Sequence, residues 1–398
     1  MAPSRRRACN LKPSCDGVKI TPVARRLAVA VLLVAVLAPA AQGAPYLRLG
    51  FDDDSLKWTT KPDRFIALQR ELGAPFTRIT IPWQRGDVRP GPVVKTYLSR
   101  AAAAGRLHQK VVLAVYGEAA EAPIDAVSRN QYCRYVRNLI ARVPAMSAVV
   151  IWNEVNAPRY WPRTAGPRAY EALLARCWDV LHAARPPVNV VESTASHYDP
   201  AGFIRELGTA YRASGRTRPI IDTFGHNPYP EFAAEDPWAT HPSTGTIGEG
   251  DYDALIASIT RAFASTAQRV PSDNWRRLWY LEDGFQTWVP RFFDWMYTGL
   301  YKGHENDRTV LPAFGLRRSQ SSQLTAAISL AYCQPAVSAF FNFELIDETR
   351  LVGWQSGLLY ANGMRKPSFA AYKTIAAAAS SGSIDCERVA SAPHPAGK

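Results

Sequence analysis

The chain has 398 residues, 47% of them hydrophobic and 11% aromatic, with 47 Lys and Arg against 34 Asp and Glu for a formal net charge of +13. That length suffices for one large domain or two ordinary ones, and the composition excludes disorder over most of it. The positive charge is spread without a long Lys/Arg block, which argues against a nucleic-acid footprint; a solvated basic surface is expected, with attraction to an acidic cell wall or polysaccharide as the alternative.

The first element reads as a leader. Arg25 and Arg26 precede an apolar run, Leu27 to Leu37, that ends in the small residues of "APAAQGAPY". This is the order of a secretory signal, with cleavage expected after Gly43. The run is shorter than the ~20 residues of a spanning helix, so stable membrane insertion is not expected after cleavage. The basic region before it is long, and a start codon nearer Val23 would shorten it; the "SRRRA" at Ser4 to Ala8 lies too far away for a twin-arginine signal. Residues 1–43 hold seven basic residues and one acidic one, which leaves a net +7 for the remainder. The expected organisation is a signal over 1–43, one domain over 44–380 and a tail over 381–398, loose beyond Cys386.

Beyond the signal, β-rich apolar runs alternate with amphipathic segments. Strands are expected at 46–51, 76–83, 110–117, 148–154, 188–194, 220–227, 277–284 and 337–344. Helices are expected at 62–72, 93–104, 128–142, 167–184, 200–213, 252–267, 320–333 and 367–379. Pro62, Pro167 and Pro367 sit in first turns, where a missing N–H costs nothing. Eight such units predict an α/β fold, a (β/α)8 TIM barrel, usually ~250 residues plus insertions. The excess falls in 230–250 and 286–318, extended loops after strands six and seven, at the rim where such barrels keep their active sites. A doubly wound open sheet is the competing architecture, but no Gly-rich phosphate loop follows the first strand.

Of six cysteines, Cys9 and Cys15 leave with the signal, and Cys133, Cys177, Cys333 and Cys386 remain without zinc-type spacing. An exported chain with four cysteines suggests two disulfides. Three pairings are possible; Cys133–Cys177 and Cys333–Cys386 are favoured because each joins nearby segments, with four buried thiols as the alternative.

The fourth strand, "VVIWNEVN" (149–156), runs straight from apolar residues into Asn153-Glu154, and the seventh, in "LWYLEDGF", ends on Glu282. Strands four and seven face each other across a barrel mouth. Two carboxylates flanking a gap are what glycosidic bond cleavage requires. Here the sequence resembles the clan A retaining glycoside hydrolases, whose members end strand four on an Asn-Glu pair and strand seven on a nucleophilic Glu. The resemblance covers nearly all of 46–380, and 353–375, "GWQSGLLYANGMRKPSFAAYKTI", is similar to the closing segment of family 39-like and family 5-like members.

The resemblance implies that Glu154 is the acid/base and Glu282 the nucleophile. Retention needs the carboxyls about 5 Å apart; at that distance two charges repel, so Glu154 holds its proton while Glu282 is ionised. It also implies that Arg78 lies under the nucleophile, against a rim salt bridge as the plain alternative, and that Asn153 donates to the sugar 2-hydroxyl. His226 and Tyr229, in "GHNPYP", are placed to hold the nucleophile or a hydroxyl, although a lone His is more often structural. Tyr116 ends strand three and is expected to line the same pocket. Trp83, Trp161, Trp288, Trp295 and Trp354 all follow strands; the plain reading of most is that they pack the long loops, and Trp354 alone is expected to contact sugar through its ring face. Clan A usually has a Trp ending strand eight, where this chain has Phe343-Glu344.

Three other acidic features compete. Asp52 to Asp54 could bind a cation, but a triple Asp in a loop is usually solvated. Glu192 ends strand five, with a buried ion pair as its plain reading. Asp283 adjoins Glu282, and strand alternation points one of them inward and the other away. The reading is a secreted retaining glycosidase acting on a β-linked polysaccharide or oligosaccharide, without cofactor, metal or nucleic-acid partner. A non-catalytic carbohydrate-binding barrel is the alternative from another class, and an inverting hydrolase would need the carboxyls ~6.5–9.5 Å apart.

Overall fold

The computed structural model describes residues 47–300 and 319–391. The expected signal, the second half of the 286–318 loop and the last residues of the tail lie outside the described residues. The strands are β1 (Arg48–Asp52), β2 (Phe76–Pro82), β3 (Lys110–Tyr116), β4 (Met146–Ile151), β5 (Asn189–Val191), β6 (Thr194–Ala195), β7 (Phe224–Asn227), β8 (Leu278–Asp283) and β9 (Val337–Asn342). They pair in parallel in the order β5-β4-β3-β2-β1-β9-β8-β7-β6. β5 and β6 are two halves of the expected fifth strand, interrupted at Glu192-Ser193; β5 pairs with β4 and β6 with β7. The Val191–Thr223 bridge completes the ring. The fold is therefore a (β/α)8 barrel, with β8 and β9 as the expected seventh and eighth strands.

The helices are α1 (Ser55–Trp58), α2 (Pro62–Glu71), α3 (Pro92–Arg106), α4 (Ala126–Ile140), α5 (Gly166–His182), α6 (Pro200–Ala213), α7 (Tyr252–Phe263), α8 (Gln320–Cys333), α9 (Pro367–Ser381) and α10 (Cys386–Ser391); α2 to α9 fall where the amphipathic pattern predicts, whereas α1 has no counterpart in it and α10 occupies a stretch expected to be loose. Proline occupies the first turn of α2, α3, α5, α6 and α9. Asp125 caps α4 through the Ser128 N–H at 2.9 Å, and Ser128 answers with its hydroxyl, a reciprocal arrangement that satisfies orphan donors of the first turn.

Strand alternation sorts the apolar residues into two layers. Phe76, Val112, Ala114, Val150, Val191, Trp279, Leu281 and Phe341 meet inside the barrel. Their neighbours Val111, Leu113, Val115, Val149 and Ile151 join the larger core between sheet and helices. The interior is thus filled, and a site has room only above it, at the strand ends. Two disulfides join Cys133 in α4 to Cys177 in α5, and Cys333 at the end of α8 to Cys386 in α10. These are the pairings that proximity along the chain favours. Among the described residues no helix is long and apolar enough to cross a membrane.

Candidate active site

The site is built around one buried cation. Asp52, at the end of β1, and Arg78, within β2, are register partners, and Arg78, 1% exposed, pairs through Nη1 with Asp52 and, at 2.9 Å, with Glu282 Oε1. Its Nη2 donates to Asn153 Oδ1 at 3.1 Å. Burial disfavours the guanidinium charge, but Asp52 and Glu282 more than offset it and raise its pKa, so Arg78 is a fixed cation. This is the position under the glutamate, and the rim salt bridge is set aside. The Tyr229 hydroxyl donates to the other oxygen, Glu282 Oε2, at 3.3 Å. Burial first, and then the charge of Glu282, push the Tyr229 phenol far upward, so it remains a donor.

Glu154 has different company. Its Oε1 accepts from Asn227 Nδ2 at 2.9 Å. Burial and then the charge of Glu282 push its pKa up to about 7, against the Asn227 hydrogen bond and the charge of Arg78. One carboxyl therefore sits on a cation and the other on a neutral amide, and the two are electrostatically coupled. That contrast favours a proton on Glu154 near neutrality.

The backbone departs from simple strand geometry at both glutamates. Trp152 and Glu154 have positive φ, 66° and 40°, uncommon for residues with a side chain. These turns send Trp152 into the outer core while Asn153 meets Arg78. Asn156 then stitches the loop to the strand end beyond: its side chain accepts from Ala195 N at 2.8 Å and donates to His197 O at 2.6 Å. On β8, Trp279 and Leu281 face the interior, so strict alternation would turn Glu282 outward. A register irregularity between Tyr280 and Asp283 shifts the phase, and Glu282 reaches Arg78.

Asp283 goes the other way. It is 1% exposed, accepts from Gly284 N at 2.8 Å and has its pKa raised by burial to about 8. Glu192 is 2% exposed and, likewise through burial, raised to about 8. No cation pairs with it among the described residues, so the expected buried ion pair is replaced by a neutral acid facing the helix layer, near Tyr170. The triple Asp is structural rather than solvated. Asp52 holds Arg78, Asp53 accepts from Leu345 N and Ile346 N at 3.0 Å each, and Asp54 pairs with Lys57 at 2.6 Å.

Of the other expected site residues, Tyr116 lies at the end of β3, half-buried, with its hydroxyl 3.3 Å from Thr80 Oγ1 and near enough to Glu282 to feel its charge. Trp354 is half-buried and packs on Tyr229 at 5.1 Å and edge-on to Phe343 at 5.3 Å; the Phe343–Glu344 peptide is cis. His226 is not brought to the site. Its Nδ1 faces Thr194 Oγ1 at 2.9 Å, its Nε2 faces Ile247 O at 2.8 Å, and the ring is 1% exposed. Trp83 and Trp161 are buried and pack with Trp152, and Trp295 is 79% exposed. Two residues were not anticipated. Asn227 shares the inward face of β7 with Gly225, one position from His226, and the parity of the strand could have found it. Tyr160, edge-on to Tyr116 at 5.5 Å, feels the charges of both glutamates but follows no sequence pattern.

No protein-family model matches the chain, and no curated protein matches its sequence. Solved structures do resemble it. A GH39 enzyme from Xanthomonas axonopodis pv. citri is 19% identical, with a TM-score of 0.52 over 87% of this chain and 68% of its own. A GH5_18 from Streptomyces cattleya, solved in complex with GlcNAc, is 15% identical, with a TM-score of 0.56 over 90% of this chain and 83% of its own. The GH53 catalytic domain of Ignisphaera aggregans is 14% identical, with a TM-score of 0.56 over 85% of this chain and 99% of its own. At these identities the likeness is one of fold: the chain has the (β/α)8 barrel of these glycoside hydrolases.

Proposed function

We propose that the chain is a retaining glycoside hydrolase of the clan A type, acting on a β-linked glycan, with Glu282 as nucleophile and Glu154 as acid/base. The observation that carries the reading is the division of partners, Arg78 and Tyr229 on Glu282 against Asn227 on a Glu154 raised to about 7. In the first step a Glu282 oxygen bonds to the anomeric carbon as the bond to the leaving oxygen breaks and Glu154 gives that oxygen its proton. The product is a neutral glycosyl ester, so Glu154 loses the charge that opposed its ionisation. It then takes a proton from water, whose oxygen displaces Glu282 from the anomeric carbon with retained configuration. Asn153, fixed through its Oδ1 by Arg78, is the donor to the 2-hydroxyl, and Trp354 with Tyr116 offers ring faces to the sugar.

The same reading has the chain exported by residues 1–43, with disulfides fitting an oxidising compartment. The test is sugar release from a panel of polysaccharides and aryl glycosides, beside Glu282→Gln, with the first-formed anomer identified by NMR. A retained anomer and near-complete loss of rate in the variant are expected. An inverted anomer overturns retention, and a glycan bound by both proteins but cleaved by neither makes the chain a binding barrel.

A further inference from the structure

The loop between β7 and α7 carries a second constellation, apart from the two glutamates. Glu231, Glu235 and His241 each offer one ligand atom, and the three atoms lie within 4.8 Å of one another. His241 Nε2 is 3.1 Å from Glu235 Oε1 and 3.7 Å from Glu231 Oε2. Ligands 2.0–2.1 Å from a tetrahedral ion stand about 3.3 Å apart, close to both His241 distances, so a movement of the Glu231 side chain would close the set on a metal. The imidazole is already oriented for it. Its other nitrogen, Nδ1, is held by Asp251 Oδ2 at 2.7 Å, and Asp251 is anchored in turn by the N–H groups of His241 and Gly248 at 2.8 and 2.9 Å. A carboxylate behind a histidine is the usual support of a metal-binding imidazole, because it fixes the tautomer and leaves Nε2 outward.

A second observation points the same way. Glu235 and His241 line a small cavity together with Glu249 and Asp283. Glu249 is 2% exposed, and neither of its carboxyl oxygens receives a hydrogen bond of good geometry, although the Ala331 N–H is near enough to favour its charge. Buried carboxyl oxygens without well-aligned donors mark a place that a cation or its bound water can satisfy.

We propose that Glu231, Glu235 and His241 form a binding site for a divalent transition-metal ion of the zinc type, which staples the loop after β7 to the start of α7. One imidazole and two carboxylates suit such an ion better than Ca2+, which takes six to eight oxygen ligands. The three residues are side chains of one loop, and Tyr229, which donates to Glu282, stands two residues before the first of them. The ion therefore stiffens the segment that holds Tyr229 in place. The site stands whether or not the glycosidase reading does. Without metal, the same groups form a hydrogen-bonded cluster in which a proton on Nε2 bridges His241 to Glu235.

The experiment uses the purified full chain, stripped with a chelator and titrated calorimetrically with Zn2+, with Mn2+ and Ca2+ in parallel. One equivalent of Zn2+ per chain is expected, with proton release seen as a buffer-dependent heat and an upward shift of the melting midpoint. His241→Gln should abolish this uptake, and Glu231→Gln should weaken it at least tenfold. The Glu231 side chain is 41% exposed, so its variant keeps the test valid if His241→Gln does not fold. Absence of Zn2+ uptake by the wild type, uptake unchanged in the variants, or binding of Ca2+ alone would each overturn the assignment.

Discussion

Neutralising Glu282 tests the electrostatic basis of the site without any substrate. Glu154 stands at about 7 against an ordinary 4.5, a displacement worth about 3 kcal/mol in favour of its protonated form. Burial is the larger cause and the charge of Glu282 the next, while Asn227 and Arg78 pull the other way. Glu282→Gln removes the second cause and leaves the first. The ionised form of Glu154 becomes easier to reach, so its pKa should fall below about 7 and stay above 4.5 because burial persists. The assay is a 13C NMR titration of protein labelled at the glutamate carboxyl carbons, with the Glu154 signal assigned by its loss in Glu154→Gln. A Glu154 midpoint that does not move in Glu282→Gln, or that rises, refutes the reasoning, because the two carboxyls would then not share a field.

Arg78→Met leaves Asp52 and Glu282 without their cation; a cost of about 3–5 kcal/mol is expected, read by urea unfolding, with Arg78→Lys recovering part of it, and an unchanged midpoint would show the pair to be dispensable. The pH dependence of stability has two sides. Glu192 and Asp283, raised to about 8, contribute stability that is whole below their unfolded values and is lost as pH rises toward 8. His226, lowered by burial to about 4 from 6.5, contributes stability that is whole above 6.5 and is lost as pH falls toward 4. Between about pH 4.5 and 6.5 the two acids lose more than the one histidine gains, so the melting midpoint should fall as pH rises from about 4.5 to 8, and Glu192→Gln should flatten that decline; a midpoint that climbs from pH 6 to 8 would contradict both acid assignments. The disulfides close spans of 44 and 53 residues, worth about 4 kcal/mol each by loop entropy. Cys133 and Cys177 are completely buried and Cys333 and Cys386 only partly, so mild reductant followed by alkylation and mass spectrometry should label the second pair first.

The repeating unit was legible in the chain itself. Buried parallel strands need continuous β-branched runs and covering helices need a 3.6-residue period, and runs such as "KVVLAVY" and the proline-started helices carry both signals locally. The neighbourhood of the strand ends was legible too, although not their exact limits. Arg78, Asn153, Glu154, Tyr229 and Glu282 lie on or just beyond their strands and meet there: Arg78 bonds Asn153 and Glu282, Tyr229 bonds Glu282, and Glu154 feels the charge of Glu282. What lies beyond a strand end depends on geometry without a local signature. The Asn227 position follows from strand parity only once the inward face of β7 is known, and that face is set by packing; the histidine beside it is spent on Thr194 and Ile247. Alternation would also turn Glu282 away from the site; the irregularity of β8 against β9 turns it back. "DDD" reads as a solvated loop, because only the β1–β2 register puts Asp52 beside Arg78.

By itself, then, the sequence determined the order of the eight strand-helix units, the barrel they close into and the two glutamates at its mouth, since periodicity is a property of neighbouring residues. Only the tertiary structure decided which carboxyl meets the cation and which the amide. It also decided that Glu192 and Asp283 are buried acids outside the site and that Glu231, Glu235 and His241 converge. Each of these depends on contacts that no local sequence pattern records, whether the groups lie within one loop or far apart in the chain.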